Sequence, residues 1–197
     1  MDLLSYQRII FGYHGCDSRV ADAVLTGKSK LIASENAYDW LGSGIYFWEH
    51  GPTRAMEWAE QQSKRKGTKI KRPSVVGAVI QLGNCFDLLD IRFTTQLAQY
   101  ATMLEDTLSI AGKSLPENQR IAIGDFDWLK RHRDCFVLNY TIPFFERKDA
   151  IRIQTVRGVF QEGSPAFNGA GIKLKSHIQI AVRDPRAIIG YFRPESL

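Results

Sequence analysis

One imidazole and one phenol stand at the ends of short apolar runs in this chain, and both are bracketed by glycine. His14 lies in Gly12-Tyr13-His14-Gly15, and Tyr46 in Leu41-Gly42-Ser43-Gly44-Ile45-Tyr46-Phe47-Trp48. Glycine beside a functional side chain lets a ligand approach the backbone closely. The imidazole offers a donor and an acceptor near neutral pH, and the phenol offers a flat apolar face with a polar end. A carboxylate, Glu162, ends the run Gly158-Val159-Phe160-Gln161-Glu162-Gly163, and an amide, Gln179, lies in Ile178-Gln179-Ile180-Ala181-Val182. The carboxylate can serve as a general base or steady a developing cation, whereas the amide can position a hydroxyl but carries no charge. Other chemistries fit poorly. The glycines of Asn168-Gly169-Ala170-Gly171 do not follow a parallel strand with a helix behind, as a Rossmann dinucleotide fingerprint requires. No phosphate-loop signature occurs, and His50, His132 and Cys135 lack metal-ligand spacing.

These strings resemble the ADP-ribosyltransferase superfamily, in particular its poly(ADP-ribose) polymerase-like branch with a His, Tyr and Glu signature. His14-Gly15 is similar to the His-Gly pair that ends the first core strand of that branch. Gly42-Ser43-Gly44-Ile45-Tyr46-Phe47 is similar to its second strand. Thr53-Arg54-Ala55-Met56-Glu57-Trp58-Ala59 resembles the helix after the tyrosine motif, and Gly77-Ala78-Val79-Ile80-Gln81-Leu82-Gly83 the next core strand. Ile178-Gln179-Ile180-Ala181-Val182-Arg183-Asp184 resembles the strand that carries the family glutamate. The resemblance implies an α+β fold, an ADP-ribosyltransferase-like split β-sandwich of two small antiparallel sheets around an NAD cleft. It would be one domain over residues 1–197 with a helical insertion, or acceptor-side subdomain, at about 92–150.

The resemblance also implies roles. His14 would hold the adenosine-side ribose, Gly15 would offer its backbone to the nicotinamide carboxamide, and Tyr46 would stack on the nicotinamide. Trp58 would cover the other nicotinamide face, or simply pack on its helix. Asn36, Ser43 and Asp39 sit in or beside the loop over the NAD, where they could bond ribose or phosphate or cap turns. At the third signature position the chain departs from the pattern, because the family glutamate falls on Gln179. Gln179 would then position the ribose, with Glu162 as general base or cation stabiliser; a strand-end surface charge is the other explanation of Glu162. His177 points to the same strand face as Gln179 and is either part of the site or structural. Arg157 would meet the pyrophosphate or form a strand-end ion pair.

The elements that must hold these groups can be read coarsely. Residues 8–13 read as a buried strand, and Asp17 or Ser18 caps a helix that runs to about Leu25 and stops at Gly27. Residues 28–43 are loop, and 45–48 a strand. Pro52 and Thr53 open a helix to about Lys66, with Ala55, Trp58, Ala59 and Gln62 on one face. Strands are expected over 74–82 and 86–91. An amphipathic helix over 95–111 carries Leu97, Tyr100, Ala101, Leu104 and Leu108, and a second helix spans 127–139. Strands over 152–161, 177–183 and 188–192 close the chain, around a glycine-rich loop at 163–171.

Composition bounds the rest. With 197 residues, 44% hydrophobic and 24% charged, the chain can bury a core and is not a disordered segment. No apolar run approaches the ~18 residues of a membrane span, and Met1-Asp2-Leu3-Leu4 reads as neither a leader nor a span, so a cytoplasmic protein without membrane attachment is expected. Three widely spaced cysteines suggest free thiols in a reducing compartment. The net charge is +5, and six of the nine positions from Lys64 to Arg72 are basic. That cluster is either a solvated helix end or a contact for nucleic-acid phosphates.

The sum is an NAD-dependent mono-ADP-ribosyltransferase acting on a macromolecule, nucleic acid (RNA or DNA) in preference to protein. A small basic enzyme of this kind resembles toxin or phage-defence effectors, which implies an antitoxin partner. The alternatives are an NAD glycohydrolase and a catalytically silent module that binds NAD or ADP-ribose.

Overall fold

A computed structural model describes residues 5–120, 127 and 129–195. The tetrapeptide Met1-Asp2-Leu3-Leu4, and positions 121–126 and 128 of the expected insertion, lie outside the described residues. The first strand, β1, spans Ser5–Asp17 and ends where the Asp17 carboxylate accepts the Arg19 N–H and caps helix α1, Ser18–Leu25. A loop leads to β2, Ile45–Glu49. Pro52 then opens α2, Pro52–Ser63, where its missing N–H costs nothing. Next come β3, Pro73–Asp87, and α3, Ile91–Ile110, capped by Asp90. Helix α4 spans His132–Asp149, followed by β4, Thr155–Phe160, β5, His177–Val182, and β6, Ile188–Phe192. No helix among the described residues is long and apolar enough to cross a membrane.

The fold is α+β, with the six strands in one mixed sheet of order β1-β2-β5-β4-β3-β6. Because β1 also pairs with β3, the first five strands close a ring and β6 lies on its outside. Two separate antiparallel sheets are therefore not what the chain builds. The reason is β3. The sequence suggests strands over 74–82 and 86–91, yet Gly83, at φ 57°, lets a single strand bend and continue to Asp87. Its earlier part pairs antiparallel with β1 and β6, and Cys85, Phe86 and Asp87 pair parallel with β4. Residues 91 onward belong to α3 instead.

Two further elements differ from expectation. Strand β1 runs four residues past Tyr13, so His14 and Gly15 lie within it; what ends at Tyr13 is the pairing with β2. Helix α4 starts at His132 and passes Pro143, where a sequence reading stops it at Asn139. Thr141, Ile142 and Phe145 are fully or almost fully buried beyond that point, and their packing outweighs the local cost of an interior proline.

Strand alternation sorts the side chains into layers. Ile45, Phe47, Ile180 and Val182 face inward with Ile10, Ile80 and Leu82, and α1 covers this core with Ala21 and Val24. Tyr46, Ala181 and Val156 face the other way, onto Leu41, Phe86 and the α3–α4 residues Phe93, Leu138, Ile142 and Phe145. Helix α2 lies on β1 and β3 through Ala55 and Ala59. Gly15 permits that approach, since a Cβ there would fall 2.3 Å from the Ala55 carbonyl oxygen.

Candidate active site

Strands β1 and β2 exchange pairs only at Gly12–Glu49 and Tyr13–Trp48, then part. His14, the next residue, fills the fork: its Nδ1 lies 2.8 Å from the Tyr46 carbonyl oxygen. A carbonyl only accepts, so the proton sits on Nδ1, and Nε2 keeps its lone pair without a partner among the described residues. Burial pushes the His14 pKa down, against the smaller upward pull of that hydrogen bond, so the ring is neutral at pH 7.

A cleft of about 440 Å³ opens at this fork. Its size lies within the roughly 300–1,000 Å³ of small-molecule sites. His14 from β1, Tyr46 and Trp48 from β2, Trp58 from α2, Gln179 from β5 and Glu162 just beyond β4 all line it. The sheet register explains part of the convergence: Gln179 pairs with Trp48 on one side and Gly158 on the other, so one sheet face carries them together. Lacking a side chain, Gly158 leaves room for the Trp40 ring, which a Cβ would approach to 2.7 Å. The Trp40 indole in turn donates to Gln179 Oε1 at 2.6 Å. Indole nitrogen can only donate, which fixes the amide orientation and leaves Gln179 Nε2 as an uncommitted donor.

Of the residues the sequence nominates, the structure brings His14, Asn36, Asp39, Tyr46, Trp58, Glu162 and Gln179 to one cleft and leaves Gly15 and Ser43 out of it. Gly15 turns toward α2, and its glycine identity is explained by helix packing. Ser43 belongs to the α4 side, where its N–H donates to Asn139 Oδ1 at 2.9 Å and its carbonyl lies 3.4 Å from Arg183 Nη1. Within the set, roles are narrower than residue type suggests. The Tyr46 hydroxyl donates to the Gly42 carbonyl and accepts the Leu41 N–H, so the phenol end anchors the loop and its ring is what remains for a ligand. Gly42 holds that turn at φ 77°, in the left-handed region. Burial raises the Tyr46 pKa well above the phenol value, so it is protonated throughout the physiological range. Asn36 uses its amide N–H groups on Ser34 and Asp39, and Asp39 also accepts the Asn36 backbone N–H. Asp39 is thus a turn cap that happens to border the cleft.

Trp58 both lines the cleft and packs on Trp48, with ring centroids 5.6 Å apart. Glu162 is paired with Arg54 at 2.7 Å. His177 stacks on Phe160, and its Nδ1 lies 2.6 Å from the Lys175 carbonyl; it is outside the cleft wall. Arg157 is buried on the opposite sheet face between Glu49 and Asp87, a structural ion triad out of reach of a cleft ligand. Sequence reasoning missed Arg54 and Trp40. An arginine in the first turn of a helix reads as a solvent group, and only the ring of Trp40, a large apolar residue in a polar loop, carried a signal.

Arg54, Arg65 and Lys130 make the cleft wall predominantly cationic against Asp39 and Glu162. From Arg65 the basic segment continues outward: Lys64, Arg65, Lys66, Lys69, Lys71 and Arg72 are all exposed, and none forms an ion pair among the described residues. A second recess, of about 400 Å³ beside Glu146, Arg152 and Arg183, shares no residue with the cleft. Among the described residues no group of three or more His, Cys, Asp or Glu could hold a metal. The cysteines are free and buried, and burial raises the Cys16 pKa to about 11 and that of Cys85 to about 12, which keeps both thiols protonated.

No protein-family model matches the chain, and no solved structure does. The chain is similar to Uncharacterized protein MJ0359 of Methanocaldococcus jannaschii, 30% identical over 91 residues. That match covers 45% of this chain, and the chain spans 41% of the relative's length.

Proposed function

We propose that this cleft binds NAD and that the protein transfers its ADP-ribosyl group to a macromolecular acceptor, releasing nicotinamide, on an ADP-ribosyltransferase-like fold. One observation carries the reading: His14, Tyr46, Trp58, Glu162 and Gln179, nominated from separate stretches of sequence, line one cleft at a fork between two strands. In the proposed reaction the glycosidic C–N bond breaks with its electron pair leaving on nicotinamide. A lone pair of the acceptor forms the new bond to the ribose carbon, and the acceptor's proton passes to Glu162. Tyr46 and Trp58 orient the nicotinamide, while the neutral His14 Nε2 accepts from a ribose hydroxyl and Gln179 Nε2 donates to one.

Nucleic acid is the favoured acceptor, RNA or DNA, because the exposed cations of 64–72, which form no ion pair among the described residues, lead away from the cleft as a track for phosphates. A toxin or phage-defence effector held by an antitoxin is the setting we infer. A silent NAD- or ADP-ribose-binding module is the second reading, favoured by the amide at Gln179 and by the engagement of Glu162 with Arg54.

Labelled NAD incubated with RNA, single-stranded DNA, duplex DNA and whole-cell protein tests this, with Tyr46→Ala as control. We expect label on nucleic acid, lost in the control and weakened by added salt. NAD bound but never consumed would sink the transferase and leave the silent module; equal consumption with and without acceptors would make it a glycohydrolase.

A further inference from the structure

Around Glu162 four charged or polar groups close a ring. Arg54 Nη2 donates to Glu162 Oε2 at 2.7 Å, and Arg54 Nη1 lies 3.4 Å from Glu57 Oε2. Glu57 pairs with the Lys175 ammonium, and the Lys175 backbone N–H donates to the Glu162 carbonyl at 2.9 Å. The ring ties the first turns of α2 to the loop after β4, across one wall of the cleft.

Arg54 is poorly served in this ring. Its guanidinium has five N–H groups, yet among the described residues Nε and Nη1 are enclosed without a hydrogen-bond partner; the Glu57 contact lacks the geometry. The neighbouring His177 Nε2 is likewise enclosed and has no partner among the described residues. Buried polar groups are nearly always paired, so a guanidinium with idle donors in a cleft wall is an arrangement awaiting an acceptor. A phosphate suits it better than Glu162 does, since its oxygens can take two guanidinium N–H groups at once and Glu162 takes one. Glu57 lies one turn from Arg54 on the same helix, so only the Glu162 contact has to be given up.

We propose that the Arg54–Glu162 pair is a latch: Arg54 holds Glu162 in the empty cleft and releases it when the phosphate of an entering ligand takes the guanidinium. Arg54 is then a positioning residue whose grip makes the base available only in the loaded site. The inference rests on the dinucleotide reading of the cleft and adds the order of events within it.

Calorimetric titration of the intact chain with ADP-ribose, and separately with nicotinamide, tests it. Glu162→Gln keeps the shape but surrenders the charge that competes for Arg54, so ADP-ribose should bind several-fold more tightly. Arg54→Gln should weaken ADP-ribose at least tenfold, with Arg54→Lys in between because an ammonium keeps charge without the fork. Nicotinamide carries no phosphate and reports on folding, so its affinity should not follow the Arg54 substitutions. ADP-ribose affinity unchanged or weakened in Glu162→Gln would overturn the latch, because the pair would then be a fixed strut. Wild-type protein that binds neither probe would overturn the dinucleotide reading itself, a failure distinct from that one.

Discussion

Replacing Tyr46 with phenylalanine separates the two ends of a residue that lines the cleft. The ring is kept, while the hydroxyl that joins the Gly42 carbonyl at 2.8 Å and the Leu41 N–H at 2.9 Å is lost. Leu41 is fully buried, so its N–H is left without an acceptor, which costs about 1–3 kcal/mol. The lost bond to Gly42 adds roughly 1 kcal/mol, giving about 3 kcal/mol in all. For a domain of this size that corresponds to a melting temperature lower by about 6–12 °C. Chemical unfolding should report the same loss with an unchanged denaturant slope, since the folded and unfolded surfaces are the same. Below the melting range, nicotinamide affinity should stay within about threefold of wild type, because the stacking face is retained. Unchanged stability would refute the account of the loop anchor. Full stability with nicotinamide binding abolished would refute the assignment of the ring, and not the hydroxyl, to the ligand.

Further expectations concern the elements behind the site. Gly158→Ala puts a methyl group 2.7 Å from the Trp40 ring, so Trp40 must move off Gln179; near-ultraviolet dichroism should change and NAD turnover fall while the fold is kept. Arg157→Met strands two buried carboxylates, Glu49 and Asp87, at a cost of about 3–5 kcal/mol. Arg157→Lys, which keeps a cation between the two carboxylates, should recover part of that loss in urea unfolding, and equal losses in the two variants would argue against the triad. In the wild type, His14 and His177 have folded pKa values below the ordinary 6.5. The unfolded state therefore binds more protons as pH falls through 6.5, and stability should decline there. A second decline is expected between 3.8 and about 2, where Asp17, held down by the N–H groups of Arg72, Lys71 and Arg19, finally protonates. Urea titrations from pH 7 to 5 that show flat or rising stability would contradict the histidine assignment.

Much of this was legible in the sequence where local signals and packing agree. A cap at Asp17 or Ser18, of which the structure uses Asp17, Gly27 after Leu25 and Pro52 at the start of α2 all follow from capping chemistry. The failures share a cause, because each depends on a partner distant in sequence. Gly83 reads as a break unless β4 is known to receive the strand beyond it, and Pro143 reads as a stop unless the core under Ile142 and Phe145 is known. At the site, the resemblance nominated residues from separate stretches, but only the fold shows which of them share a cleft, that the Tyr46 hydroxyl and the Asn36 amide are already engaged, that Ser43 belongs to α4, and that Glu162 has an arginine for company.

The ring of strands also sets when the cleft can exist during synthesis. Gln179 lies between Trp48 and Gly158, so the cleft wall that β5 supplies waits for the last third of the chain. Pairings this remote are slow to form, and loop closure must precede any reward from contact. A ribosome-bound chain halted before β5 would carry His14 and Tyr46 without the strand that completes their cleft. Ligand-binding capacity should therefore arrive late and abruptly in translation, once residues through Val182 have cleared the exit tunnel.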